Sequence, residues 1–159
     1  MLKNIILAIT MGFVSTAWAG PYDPIVSVAW VGETIPGQKT ATLQLNLTTI
    51  KSVNLMSVSS PVAESIEIHS LTNVKGVMKT RVVSRLSLVE HRTITFGSRG
   101  LFLMMTGLKQ PLKVGDRVPI SLVVTFADNR TKIISAVAEV RKMELSYKHY
   151  GPNDVYDHR

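Results

Sequence analysis

The chain has 159 residues, no cysteine and a formal net charge of +7. The absence of cysteine excludes disulfide bonds, so the stability of the fold must come from the burial of apolar side chains. The basic charge is not accompanied by an aromatic RNA-stacking motif or a glycine-rich phosphate loop, and we therefore predict no nucleic-acid partner.

The N-terminal segment 1–19 has the three regions of a secretory signal peptide in their usual order. Lys3 supplies the positive charge, Ile5 to Val14 form an apolar segment, and Ala17-Trp18-Ala19 is a small-x-small cleavage site. The apolar segment is too short to cross a membrane. A lipid anchor is not indicated, because there is no cysteine near the cleavage site. We predict cleavage after Ala19, and a soluble periplasmic protein of net charge +6 that begins at Gly20.

The rest of the chain alternates apolar and polar residues with the period of two that is typical of β-strands. No segment shows helical periodicity over three turns, and many short strands separated by turns predict a β-sandwich or barrel. We predict one domain over 20–141, followed by a flexible polar tail over 142–159. The predicted strands are Ile25 to Val31, Ala41 to Thr48, Asn54 to Ser59, Ser65 to His69, Val77 to Val83, Arg92 to Phe96, Leu101 to Thr106, Val118 to Phe126 and Lys132 to Val140.

The same alternation predicts which side chains form the core. Apolar residues at every second position of separate strands should face one another across the sandwich. The predicted core residues are Leu43, Leu45, Ile66, Ile68, Leu103, Ile120, Leu122, Val124 and Ile134.

One histidine and several methionines within the predicted strands are candidate metal ligands. Imidazole and thioether groups suit Cu(I), and neither depends on a thiolate that would oxidise outside the cytosol. His69 lies on one strand and Met104 on another, whereas Met105 should face the opposite side and belong to the core. A methionine in a strand is more often a core residue than a metal ligand. The spacing of these residues therefore has to show whether they form a metal site.

Several motifs resemble the periplasmic copper chaperones of the PCu(A)C family, and together they cover about Ala29 to Arg141. The resemblance implies an all-β, cupredoxin-like (immunoglobulin-like) Greek-key β-sandwich. The motifs are Ala29-Trp30 followed by Pro36-Gly37, Ser59-Ser60-Pro61-Val62-Ala63 followed by Glu67-Ile68-His69, Gly76-Val77-Met78-Lys79, and Gly107-Leu108-Lys109-Gln110-Pro111-Leu112 followed by Gly115-Asp116 and Val118-Pro119.

The copper site of that family combines two histidines and two methionines at a fixed spacing. Laid onto this chain, the spacing falls on His69, Thr80, Phe102 and Met104, so the motif is degenerate. Side chains two residues apart on a strand share a face, which places Met78 on the face of Thr80. We therefore predict a Cu(I) site formed by His69, Met104 and Met78, and the aromatic face of Phe102 could also contact the ion.

The resemblance implies a periplasmic protein that holds Cu(I) and delivers it to a partner, such as the Cu(A) site of a haem-copper oxidase during oxidase assembly. The alternative is a metal-free β-sandwich module that has lost the copper site and acts through protein–protein contacts. Without a G-x-S-x-G elbow or a compact zinc ligand set, we predict no enzymatic activity.

The predicted partners are a copper donor or acceptor protein and, through the basic charge, an anionic membrane surface. We predict a monomer. Two histidines of the tail, His149 and His158, are a second candidate copper-binding group, although incidental histidines in a disordered polar terminus are the favoured explanation.

Overall fold

The structure is a computed structural model that describes residues 20–97 and 100–143. These residues form ten strands and no helix, and accordingly none of them belongs to a helix long and apolar enough to cross a membrane. The strands are β1 (Ile25–Gly32), β2 (Thr40–Thr49), β3 (Val53–Ser59), β4 (Ser65–Val74), β5 (Val77–Val82), β6 (Leu86–Leu88), β7 (Arg92–Phe96), β8 (Leu101–Thr106), β9 (Arg117–Phe126) and β10 (Thr131–Arg141).

The strands form one hydrogen-bonded path in the order β5-β4-β8-β2-β1-β10-β9-β3-β6. β7 pairs with the second half of β2, beyond the residues of β2 that pair with β8. The pairing of β1 with β10 is parallel, and β3 also meets β4 through Val58 and Ile66, which closes the path on itself. The result confirms the predicted all-β sandwich.

The core lies inside the closed path of strands and follows the predicted alternation. Eight of the nine predicted core residues are buried, and Ile134 is half-buried and packs against them. Met105 is fully buried, as predicted from its position one residue after Met104. Strand β9 buries every second side chain over its ten residues, and β2 does so from Leu43 to Thr49, because one face of each strand is turned to the core.

Two features of the strands differ from the sequence prediction. The three-residue strand β6 was not predicted, because three residues are too few for an alternation to be recognised. Strand β4 extends to Val74, five residues beyond His69, and joins β5 through a two-residue turn. The turn residues Lys75 and Gly76 have positive φ angles of 52° and 82°, as in a type I′ hairpin turn.

The two terminal predictions are not tested by the structure. The predicted signal peptide and its cleavage site after Ala19 lie outside the described residues, and so does the predicted tail from residue 144 onward, including His149 and His158.

Candidate metal centre

The candidate site lies on the outer face of three neighbouring strands, β5, β4 and β8. Ile66 and Ile68 of β4 point into the core, so Glu67 and His69 point to the opposite face. His69 lies at the centre of this face. It is paired with Phe102 of β8 on one side and with Val82 of β5 on the other.

The His69 ring is held by two neighbours. It stacks on Phe102, with ring centroids 5.4 Å apart and an angle of 12° between the planes. Its Nε2 lies 3.1 Å from Oε2 of Glu67, and only 12% of the His69 side chain is exposed against 46% for Glu67. The stack and the carboxylate together fix the orientation of the imidazole.

The two ring nitrogens of His69 therefore have different roles. An ionised carboxylate only accepts hydrogen bonds, so Nε2 is the nitrogen that carries the proton and donates it to Glu67. Nδ1 is buried and has no hydrogen-bond partner among the described residues. In the neutral ring its lone pair is free, and a carboxylate on the other nitrogen is the usual support of a metal-binding histidine.

Met104 lies next to this histidine. It is paired with Glu67, two residues from the Phe102 that faces His69, so it is a diagonal neighbour of His69 on the same face. On its other side Met104 is paired with Thr42 of β2. The structure thus brings together two of the three ligands predicted from the sequence.

Met78 is on the predicted face but lies farther away. It is paired with Asn73, whereas His69 is paired with Val82, four residues along β5. At roughly 3.3 Å per residue this offset corresponds to about 13 Å along the strand. Met78 and Met104 also lie in opposite directions from His69, so the expected convergence of the three side chains is not met in this conformation.

The two positions at which the resemblance implies further ligands are closer to His69 than Met78 is. Phe102 is its direct cross-strand neighbour, and Thr80 is paired with Leu71, one diagonal step away. All four positions of the motif therefore share one face of three adjacent strands, although two of them carry side chains that do not bind copper strongly.

Comparison with known proteins identifies the family. The family described as putative lipoprotein LpqE-like matches residues 25–138. The chain belongs to the LpqE-like family. Among solved structures, the Cu(I) form of DR1885 from Deinococcus radiodurans is 30% identical and covers 79% of this chain and 82% of its own, with a TM-score of 0.55.

Two further solved structures support the same fold for this LpqE-like chain. The apo form of DR1885 is 26% identical, covers 89% of this chain and 95% of its own, and has a TM-score of 0.57. The copper-bound PCuAC domain from PmoF2 is 16% identical, covers 74% of this chain and 93% of its own, with a TM-score of 0.55, and so supports the fold alone. A comparison with curated proteins finds no significant match.

The described part of the LpqE-like chain offers little besides thioethers to complete a site around His69. Within 20–97 and 100–143, no group of three or more histidines, cysteines or carboxylates could hold a metal ion. Met143, just after β10, is an additional thioether near the site. It lines a cleft of about 110 Å³ together with Met104, Glu33 and Gln38.

Two residues of this environment were not predicted from the sequence. Glu67 could have been recognised, because it precedes His69 by two residues and therefore shares its face. The position of Met143 had no such signal. The position of Met143 depends on where β10 ends. Its side chain lies against Gly32, which is distant from it in the sequence.

Proposed function

We propose that this protein binds Cu(I) in the periplasm and passes it to a partner protein. The observation that carries the proposal is the environment of His69: its Nε2 contacts Glu67, and its buried Nδ1 has no hydrogen-bond partner among the described residues. Met104 is a diagonal neighbour of His69 on the same face. The membership of the LpqE-like family and the fold shared with copper-binding domains support a copper-related function.

The chemistry of this site suits transfer rather than permanent storage. A neutral imidazole and neutral thioethers bind Cu(I) with little competition from protons, and they leave the ion with few ligands. The site also lies on the outer face of a sheet, where a second protein can dock, although a side chain must first move to expose Nδ1 of His69. Metal could then pass directly to an acceptor, and we propose the Cu(A) site of a haem-copper oxidase as one acceptor.

The third ligand in this proposal is Met78. Its side chain is exposed, and it lies on the β4–β5 hairpin, which would have to bend toward β8 for the sulfur to approach His69. Met143 is the competing third ligand, because it already lines the cleft next to Met104. Met78→Leu and Met143→Leu separate these two possibilities, since the larger loss of Cu(I) affinity identifies the ligand.

A titration of Cu(I) against a chromophoric chelator tests the site in the protein that begins at Gly20. We expect His69→Ala and Met104→Leu each to weaken Cu(I) binding by about tenfold or more, which corresponds to about 1.4 kcal/mol. Met56→Leu is the matched control, because Met56 lies on β3, which does not pair with β5 or β8 and meets β4 only at Val58 and Ile66. Unchanged affinity in His69→Ala would contradict the proposal and point to the tail histidines His149 and His158.

The second candidate is a metal-free binding module, and one observation favours it. Phe102 stacks on His69, and Nδ1 is buried, so copper can reach this nitrogen only if a side chain moves. Under this alternative the wild-type protein shows no Cu(I) binding that depends on His69, while the fold remains intact.

The location, activity and assembly of the protein are part of the same proposal. The description of the family as putative lipoproteins supports export in general terms. We propose cleavage after Ala19, a monomeric non-enzymatic protein, and an anionic membrane surface as an additional contact of its basic side chains. Mass spectrometry of the exported protein tests the cleavage, because an intact Met1 would contradict it.

A further inference from the structure

The outer edge of β5 is open. β5 ends the path of strands, and within the described part of the chain it pairs only with β4. All six of its residues are exposed. One side of its backbone is therefore available for hydrogen bonds to another strand.

The register of the β4–β5 hairpin identifies the free backbone groups. In a two-residue turn the closing pair, here Val74 and Val77, exchanges hydrogen bonds, and such pairs then recur at every second residue. The hydrogen bond of 2.8 Å from the Val83 N–H to the Ile68 carbonyl follows the same alternation. The N–H and C=O groups of Met78, Thr80 and Val82 consequently point away from β4, toward the open edge.

The hairpin and the residues after it are strongly basic. Over residues 70–89 the sequence contains no aspartate or glutamate. None of its basic side chains forms an ion pair with another residue of the ranges that the structure describes. These side chains are Lys75, Lys79, Arg81 and Arg85.

Apolar side chains are interspersed with these charges. Val77, Met78 and Val82 are each more than half exposed, at 55–58%. An exposed apolar edge strand tends to pair with another chain, and natural proteins often place lysine there to prevent it. Positive charge repels a second copy of the same hairpin, but it attracts an acidic strand.

We propose that the open edge of β5 binds an extended, acidic segment of a partner protein by strand addition. The backbone groups of Met78, Thr80 and Val82 form the new ladder, and Lys79 and Arg81 select acidic side chains. Because Val82 is the cross-strand neighbour of His69, the added strand lies beside the face that carries the candidate copper site. The binding itself does not require copper, so it stands or falls separately from the proposed function.

The test uses the metal-free protein that begins at Gly20 and a blocked eight-residue peptide of alternating glutamate and valine. We expect saturable binding that weakens as salt is added, together with slower hydrogen exchange of the amides of Met78, Thr80 and Val82. A peptide of alternating glutamate and proline carries the same charge but lacks half of the backbone N–H donors, and its prolines fix the φ angle near about −65° and restrict the residues before them. We expect it to bind at least about tenfold more weakly.

A pair of charge-reversal variants tests the selectivity of the edge. Lys79→Glu combined with Arg81→Glu should weaken binding of the glutamate–valine peptide by about tenfold or more. Lys113→Glu combined with Arg117→Glu makes the same change of net charge on two exposed residues outside the hairpin, one in the loop before β9 and one at its first position. We expect this control to stay within about twofold of the wild type.

Several outcomes would overturn the proposal. One is equal binding of the glutamate–proline peptide, which would mean that charge alone is recognised. Another is equal binding of a lysine–valine peptide, which would remove the role of the basic side chains. Protection of the three amides in the free protein would mean that the edge is already occupied within the chain. Binding to anionic phospholipid vesicles without binding to the acidic peptide would indicate a membrane surface instead.

Discussion

At the scale of single residues, the geometry of the candidate site is determined by what surrounds His69. Glu67 on the same face fixes one ring nitrogen, and Phe102 on the neighbouring strand covers the ring. The sequence predicted the importance of His69 and Met104 from residue types that suit Cu(I) and from spacing that resembles a known family. It could not predict the burial of Nδ1, because that depends on how three strands pack side by side.

Restoring the two missing ligands should strengthen Cu(I) binding. Phe102→His places a second imidazole directly opposite His69, and Thr80→Met adds a thioether one diagonal step away. We expect the double variant to bind Cu(I) at least about tenfold more tightly than the wild type, measured by chelator competition. An affinity equal to that of the wild type would mean that this face is not the copper site.

A second residue-scale prediction concerns Asp23, whose carboxylate accepts hydrogen bonds from Lys132 and from the backbone amide of Gly20. Burial raises the pKa of Asp23, but these hydrogen bonds and the charges of Lys132 and Arg130 lower it by more, so the net pKa lies below its ordinary value of 3.8. The stabilisation is therefore complete above pH 3.8 and disappears as the pH falls through the lower pKa of the folded state.

Asp23→Asn should accordingly lower the free energy of unfolding at pH 7 by about 0.5–1 kcal/mol. The difference between variant and wild type should vanish at a pH below the pKa of the folded state, as measured by urea unfolding across pH. Asp128→Asn removes a more exposed ion pair with Arg130, and we expect a smaller effect. A destabilisation of Asp23→Asn that persists unchanged at low pH would contradict this account.

At the scale of elements, the faces of the strands were predictable but the register of one hairpin was not. Alternation correctly placed Met78 on the face of Thr80. Its distance from His69 depends on the Lys75-Gly76 turn, because the turn decides which residues of β4 and β5 lie opposite one another. Lysine is an unusual residue at a positive φ, so the pair Lys75-Gly76 is only a weak signal for this turn.

The approach of β8 to β4 can be tested at Gly100, which has a φ of +85°. Its carbonyl accepts a hydrogen bond of 2.6 Å from the Leu71 N–H, and an added Cβ would lie 2.8 Å from the Leu71 carbonyl oxygen. We expect Gly100→Ala to lower the free energy of unfolding by about 2 kcal/mol or more and to weaken Cu(I) binding, since it displaces the strands that carry His69 and Met104.

Gly37→Ala is the matched control for this substitution. Gly37 has a similar φ of +86°, but nothing lies within 4 Å of an added Cβ. We expect Gly37→Ala to lower the free energy of unfolding by about 1 kcal/mol, through the backbone conformation alone, and to leave Cu(I) binding unchanged. Equal destabilisation of the two variants, measured by urea unfolding, would mean that the contact with Leu71 is unimportant.

At the scale of the whole molecule, the fold was more predictable than the site. A repeating pattern over nine predicted strands describes the sandwich, and eight of the nine core residues predicted from it are buried, because burial of one face imposes the same period on every strand. The site depends on single pairings across β5, β4 and β8, and on the side chain of Met143 that follows β10. Such contacts between distant segments leave no periodic trace in the sequence.

The core and the outer face should respond separately to substitution. Leu122 of β9 is fully buried on the core side of a strand that is not paired with β4, β5 or β8. Leu122→Ala should lower the free energy of unfolding by about 2–5 kcal/mol, whereas Val123→Ala, on the outer face of β9, should cost less than about 1 kcal/mol. Under conditions where both variants are folded, Cu(I) affinity should stay within about twofold of the wild type.

Phe102→Ala should have the opposite effects to Leu122→Ala, with a smaller loss of stability but a change in Cu(I) uptake. Phe102 is only half-buried, so its loss should destabilise the fold less than Leu122→Ala does. It uncovers the His69 ring, and we expect faster uptake of Cu(I) in stopped-flow measurements with a chelator as the donor. If Leu122→Ala abolishes copper binding by the folded protein, or if Phe102→Ala leaves the uptake rate unchanged, then the outer face does not control access to the metal site independently of the core.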